Sequence, residues 1–177
     1  MIDRLPMIIV EGMDNTGKTS LTQYLGHRYG LPVIHSEGPR GVIESFKWVE
    51  SAMNLHKNNI IYDRFPLVSE EVYGVVLRNY SVFDNPPGEE LRHRLVGAKP
   101  ILIFCRPPLD VMGRFGEREQ MEGVIENSIQ LSQRYEEVIF GEFSEIDPIS
   151  FDYSSDPDYT NLITNFELRL VKGGFVA

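Results

Sequence analysis

Cysteine is almost absent from this chain: Cys105 is the only one in 177 residues, so no internal disulfide can form. It lies at the end of the apolar run Ile101-Leu102-Ile103-Phe104. It follows four apolar residues and no histidine is near it in sequence, so it reads as a small buried residue and not as a nucleophile. Cations are scarce as well, 17 Lys and Arg against 26 Asp and Glu, for a net charge of −9. That balance disfavours stable nucleic-acid binding, and any phosphate site has to be a local cationic pocket in an acidic body. No apolar run approaches the length of a membrane span, and Met1-Ile2-Asp3-Arg4 lacks the basic start and apolar stretch of a signal peptide. The expectation is a cytoplasmic protein without membrane contact. Repeats, low-complexity tracts and internal linkers are also missing, which predicts one domain, 1–177, with a real hydrophobic core. The Asn-Lys-x-Asp motif that reads guanine does not occur.

What the chain does have is Gly12-Met13-Asp14-Asn15-Thr16-Gly17-Lys18-Thr19-Ser20, directly after Met7-Ile8-Ile9-Val10-Glu11. The stretch fits G-x-x-x-x-G-K-[ST], the phosphate-binding P-loop. Its glycines let successive backbone N–H groups turn inward on a polyphosphate. Lys18 can reach the β and γ oxygens, and the Thr19 hydroxyl can ligate Mg²⁺. Gly12, Asn15, Thr16, Gly17, Lys18, Thr19 and Ser20 are therefore the predicted ATP-binding residues. The helix that follows directs its positive dipole end at the same anion.

Along the chain, short apolar runs alternate with longer helical patterns, as in a parallel α/β sheet covered on both faces. Strands are expected near 6–10, 32–35, 59–62, 100–105 and 148–153. Helices are expected at about 17–29, 42–57, 67–80, 88–97, 107–115, 119–141 and 157–170. The 119–141 helix carries Met121, Val124, Ile125, Ser128, Leu131, Tyr135, Val138 and Ile139 at three- and four-residue steps.

Ligands of such sheets bind beyond the carboxyl ends of the strands. After the second strand, the turn-rich segment from His35 to Gly41 holds Arg40, which is either solvated or in contact with an acceptor phosphate; His35 reads as a packed strand-end residue. After the third come Asp63-Arg64-Phe65. Here the carboxylate can serve a Mg²⁺ shell or take a proton, and the guanidinium can grip a phosphate through two parallel bonds. After the fourth come Arg106 and then Gly113-Arg114-Phe115-Gly116-Glu117-Arg118-Glu119-Gln120. Two arginines among glycines suit a lid, about 113–120, that closes over phosphates.

Taken together, the P-loop with Asp14, Asp63-Arg64-Phe65 followed by Ser69 and Tyr73, the Arg114/Arg118 segment and Tyr135 resemble thymidylate kinase and its deoxynucleoside-kinase relatives. The resemblance implies a P-loop kinase fold with a five-stranded parallel sheet of order 2-3-1-4-5. It also implies transfer of the ATP γ-phosphoryl group to a (deoxy)nucleoside monophosphate, with ATP and Mg²⁺ as the cofactors. By position, Asp14 would bind the acceptor sugar, Arg64 and more loosely Arg40 the acceptor phosphate, and Phe65 and Tyr73 would shape the pocket. Lys18, Asp63, Arg118 and Arg114 would be catalytic, with Thr19 and Asp63 at the metal. Asn15 is uncharged, so the catalytic arginine has to come from the lid. Between the second and third strands only Phe46, Lys47 and Trp48 are available to read a base, so base identity stays open. The alternatives are a deoxynucleoside kinase, a kinase acting on a modified base in DNA, and a non-catalytic nucleotide-binding switch. The expected partners are small nucleotides, with a homodimer left open.

Overall fold

The computed structural model describes residues 5–36, 38, 40–55, 58–112 and 122–175. The proposed lid, 113–120, with Arg114 and Arg118, lies outside these residues.

Strand β1 (Met7–Glu11) is buried at every position. A run that is apolar on both faces belongs in the middle of a parallel sheet, and β1 is there. It pairs with β3 (Ile60–Asp63) on one side and β4 (Ile101–Cys105) on the other. β2 (Val33–His35) adds to β3, and β5 (Ile149–Phe151) to β4, all parallel, in the order β2-β3-β1-β4-β5. The expected topology is thus present.

Because successive strand residues face opposite sides, the sheet divides into two cores. Met7, Ile9, Tyr62 and Phe104 face α2 (Val42–Leu55), α5 (Pro86–Gly97) and α7 (Ser128–Glu137). Ile8, Val10, Ile61, Ile103 and Cys105 face α1 (Lys18–Tyr29) and α8 (Thr160–Lys172). Among the described residues, no helix is long and apolar enough to cross a membrane.

Three predicted helices differ from the observed ones. The helix expected at 67–80 is interrupted: α3 (Pro66–Ser69) passes into a π-helical turn (Glu70–Gly74) and then α4 (Val75–Arg78). Of the helix expected at 119–141, residues 122–127 are turns. Gly123 sits at φ 83°, and its carbonyl accepts from the Asn127 side chain at 2.8 Å, so helix starts only at Ser128. The apolar spacing at Val124 and Ile125 is therefore not a helical stripe, since Val124 is buried and Ile125 is 60% exposed. The last helix starts at Thr160, where the Asp156 carboxylate caps it by accepting from the N–H groups of Asn161 (3.1 Å) and Leu162 (2.9 Å). Of the expected 107–115 helix, residues 107 and 108 are not helical and a short α6 (Leu109–Met112) follows them.

The π-helical turn holds a buried acid. Glu71 pairs with Arg92, accepts from Ser81 Oγ at 2.9 Å, and lies 3.9 Å from Arg134. Arg134 Nε also donates to the Glu71 carbonyl at 3.0 Å. Removing one partner strands a charge that burial has already stripped of water. Arg92→Met should lower stability by about 1–3 kcal/mol in urea denaturation, because Ser81 and Arg134 still compensate in part. The double variant Arg92→Met/Glu71→Met should recover most of that loss.

Candidate active site

The carboxyl ends of β1, β2 and β3 enclose a cavity of about 270 Å³ lined by Asp14 through Ser20, His35, Ser36, Asp63 and Arg64. The loop entering it bends under a hard constraint. Gly12 has φ 143°, and a Cβ there would come within 2.4 Å of the Cys105 carbonyl, so β4 presses on the loop too closely for any side chain. Asn15 and Gly17 also take positive φ, 62° and 83°. Alternation of this kind turns backbone N–H groups inward and makes an anion-binding concavity. Thr16 Oγ1 donates to the Met13 carbonyl at 2.8 Å, and Lys18 Nζ donates to the same oxygen. Burial, with the nearby Arg64 guanidinium, pulls the Lys18 pKa down to about 8.

Across the cavity, Asp63 Oδ2 accepts from Thr19 Oγ1 at 3.3 Å and from His35 Nδ1 at 3.0 Å. A hydroxyl and a carboxylate at the edge of a phosphate cradle are hard oxygen donors. The pair suits Mg²⁺, which keeps most of its water and takes few protein ligands. Arg64 follows in the left-handed region, φ 69°. That conformation is uncommon for a long side chain, and here the Arg64 N–H donates to the Val10 carbonyl at 3.0 Å. Its guanidinium reaches Asp14 Oδ1 at 2.5 Å and Tyr135 Oη at 3.4 Å, and lies 4.9 Å over the Tyr73 ring.

Beneath these groups sits Glu11, with no exposed surface. Its carboxylate accepts from the Phe65 N–H (2.6 Å), Ser69 Oγ (3.0 Å) and Tyr135 Oη (3.1 Å). Burial pushes its pKa up, against the opposing pull of Arg64 and of the Phe65 and Ser69 hydrogen bonds. A second cavity of about 310 Å³ adjoins the loop at Met13 and Thr16 and is bounded by Arg106, Glu136 and Asp152. Arg106 pairs with Glu136 at 2.8 Å and lies against the Phe104 and Phe140 rings.

The fold brings together Asp14, Asn15, Thr16, Gly17, Lys18, Thr19, Ser20, Asp63 and Arg64 around one cavity, with Tyr73 directly under Arg64. One expectation is corrected, and one residue stands apart from the cavity. Phe65 does not shape a pocket: its ring is wholly buried, edge-on to Trp48 and Tyr62 at 5.5 and 5.3 Å, and only its N–H serves the site, through Glu11. Arg40 does not line the phosphate cavity; its guanidinium covers Trp48 at 5.4 Å and donates to Ser36 Oγ at 3.3 Å. His35 is also misread from sequence as a packed residue, since its side chain is 55% exposed and bonded to Asp63. The usable signal was its place at the end of β2, where β2 and β3 pair His35 with Asp63. Glu11 had a signal too: a charge closing an otherwise apolar central strand. Cys105 is as expected, its thiol pushed up to about 12 by burial.

Lys18 gives a pH prediction. Its folded pKa, about 8, lies below the ordinary value of 10.5. Above about 8 the unfolded chain therefore holds a proton that the folded chain has released, so stability of the ligand-free protein rises from about pH 8 to 10.5. A bound polyphosphate reverses the bias by favouring the ammonium. Calorimetry in buffers of different ionisation heat should show proton uptake when ATP binds near pH 8 to 9, and Lys18→Met should abolish that uptake.

No family model and no curated protein sequence matches the chain. Solved structures do. The chain is similar to the YorR protein of Bacillus subtilis in complex with phosphorylated GDP, at 22% identity and a TM-score of 0.69, with 92% of this chain and 96% of that one covered. It is similar to thymidylate kinase from Candida albicans, at 14% identity and a TM-score of 0.60, covering 93% and 92%. It is also similar to deoxyadenosine kinase from M. mycoides with bound dATP, at 18% identity and a TM-score of 0.57, covering 90% and 97%. Over nearly its whole length, then, the chain has the thymidylate kinase-like P-loop kinase fold.

Proposed function

We propose that this protein transfers the γ-phosphoryl group of ATP to a (deoxy)nucleoside monophosphate, as the monophosphate kinases of this fold do. The observation that carries the reading is the single cavity in which a P-loop with Lys18 and Thr19 faces Asp63, Arg64 and Asp14. A bare nucleotide switch needs the first set only; a kinase also needs the second, to hold an acceptor in line. On this reading the loop amides and Lys18 hold the β and γ phosphates. Thr19 and Asp63 would hold Mg²⁺, which would supply charge neutralisation at the transferring group. Arg64 grips the acceptor phosphate and Asp14 the acceptor sugar. Phosphoryl transfer is mostly positioning and charge neutralisation, and this set of groups supplies both. The catalytic arginine is assigned to the lid, Arg118 first and Arg114 second.

One observation favours a second reading, a nucleoside acceptor. Arg64 is already engaged by Asp14 and Tyr135, as a purely structural arginine would be, and Asp63 would then act as base toward a 5′-hydroxyl.

The test is ADP formation from Mg·ATP against a panel of nucleosides, nucleoside monophosphates (unusual bases included) and DNA. Turnover should require a monophosphate. Consumption of ATP with a nucleoside alone selects the second reading, and no acceptor-dependent turnover removes both. Lys18→Ala should abolish transfer while leaving the fold intact, since Lys18 meets charge that grows in the transition state. Arg64→Lys keeps the charge but loses the fork, so the KM for the monophosphate should rise strongly; an unchanged KM would place the acceptor phosphate elsewhere. Arg118→Ala should lower kcat at least about a hundredfold with little change in ATP affinity. Normal turnover in both Arg118→Ala and Arg114→Ala would end the lid assignment.

A further inference from the structure

His35 has an arrangement that none of the roles above uses. It ends β2 in register with Asp63 at the end of β3, and the Ser36 N–H donates to the Asp63 carbonyl at 3.0 Å, so the two side chains are fixed by adjacent strand backbones. Sites carried on strands are held more closely than sites carried on loops. The Asp63 side chain is only 8% exposed, whereas His35 is 55% exposed and lines the phosphate cavity. An ionised carboxylate only accepts hydrogen bonds, so the 3.0 Å contact puts the imidazole proton on Nδ1. Between two exposed groups such a contact would be worth little. Here one partner is buried, and it is the acid on which the proposed chemistry turns.

The two bonds to Asp63 differ in permanence. Both converge on Oδ2. The Thr19 hydroxyl is itself a candidate metal ligand, so cation binding takes that restraint away. The His35 bond makes no such demand and stays.

We propose that His35 is a positioning residue for Asp63, its Nδ1–H fixing the carboxylate rotamer against β2 so that the acid keeps its place when Thr19 turns to a cation. This rests on the kinase reading above. His35 touches no reacting atom; it acts through Asp63, as partners behind a ligating carboxylate do, and loss of such a partner typically lowers metal affinity or activity about 10–100-fold.

The test compares His35→Leu, which cannot donate, with His35→Asn, whose amide can reach Oδ2. His35→Leu should fold with an unchanged melting temperature and lose about 10–100-fold in kcat, with acceptor KM nearly unaltered. The enhancement of ADP binding by Mg²⁺, measured against EDTA, should shrink in His35→Leu, and His35→Asn should recover most of both losses. A readout free of turnover is the long-range ¹H–¹⁵N histidine spectrum of the ligand-free protein at alkaline pH. His35 should appear as the Nδ1–H tautomer and revert to the Nε2–H form preferred by free imidazole in Asp63→Ala. Parental kcat and Mg²⁺ enhancement in His35→Leu, a loss that His35→Asn leaves untouched, or an Nε2–H tautomer in the parent each overturns the assignment. If the parent shows no kinase activity, the functional reading falls, while the tautomer still decides whether the bond exists. Should His35→Leu fail to fold, His35→Asn and the spectrum still decide.

Discussion

One buried carboxylate, Glu11, holds the site in register. It closes the central strand with no exposed surface and accepts from Phe65, Ser69 and Tyr135, which belong to the exit of β3, to α3 and to α7. A carboxylate stripped of water without partners would cost several kcal/mol or take up a proton. Three donors and the nearby Arg64 guanidinium offset that cost, and charge-assisted bonds are about twice as strong as neutral ones. The phosphate loop, the Asp63-Arg64 turn and the helix carrying Tyr135 are thus joined at one point. Arg64 can then persist in a left-handed conformation that costs on the order of 1–3 kcal/mol, because the bonds around it leave no relaxed alternative.

A second constraint acts from the other neighbour of β1. The closeness of the Cys105 carbonyl to Gly12 forces the loop to turn where β4 ends. The same closeness brings Arg106 and the second cavity up to the loop at Met13 and Thr16. The acidic body leaves only Lys18 and Arg64 as described cations in the phosphate cavity, interleaved with Asp14 and Asp63. Attraction for a polyphosphate is therefore local, as the net charge of −9 requires.

The sheet was legible because buried parallel strands are short apolar runs between longer helical patterns, and the P-loop because its spacing is specific. What could not be read were effects decided by tertiary contacts. Phe65 follows the catalytic-looking pair, yet its ring turns into the aromatic cluster with Trp48 and Tyr62; sequence adjacency does not say which way a side chain points at a strand end. Val124 and Ile125 matched a helical period, but Gly123 and Asn127 make a turn there, and Val124 is buried from that turn. The π-helical turn at Glu70–Gly74 has no spacing signature and depends on Arg92 and Arg134, distant in sequence. His35 gained its partner only when β2 and β3 were placed side by side.

The engagement of Arg64 with Asp14 bears on which acceptor fits. A guanidinium has five N–H donors; the bonds to Asp14 and Tyr135 come from Nη2 and Nη1, which leaves three directions unspent by those contacts. These N–H groups lie in the guanidinium plane, so the Tyr73 ring on one face does not block an edge-on acceptor. Asp14, about one-third exposed, keeps lone pairs for a sugar hydroxyl while holding Arg64 in plane. The ion pair is therefore better understood as preorganisation than as competition. Ordering the fork before the acceptor arrives removes side-chain entropy from the binding step, and the Glu11 carboxylate beneath attracts the guanidinium. On the proposed reading the Arg64–Asp14 pair prepares the fork for a monophosphate, and on the second reading the same pair is purely structural.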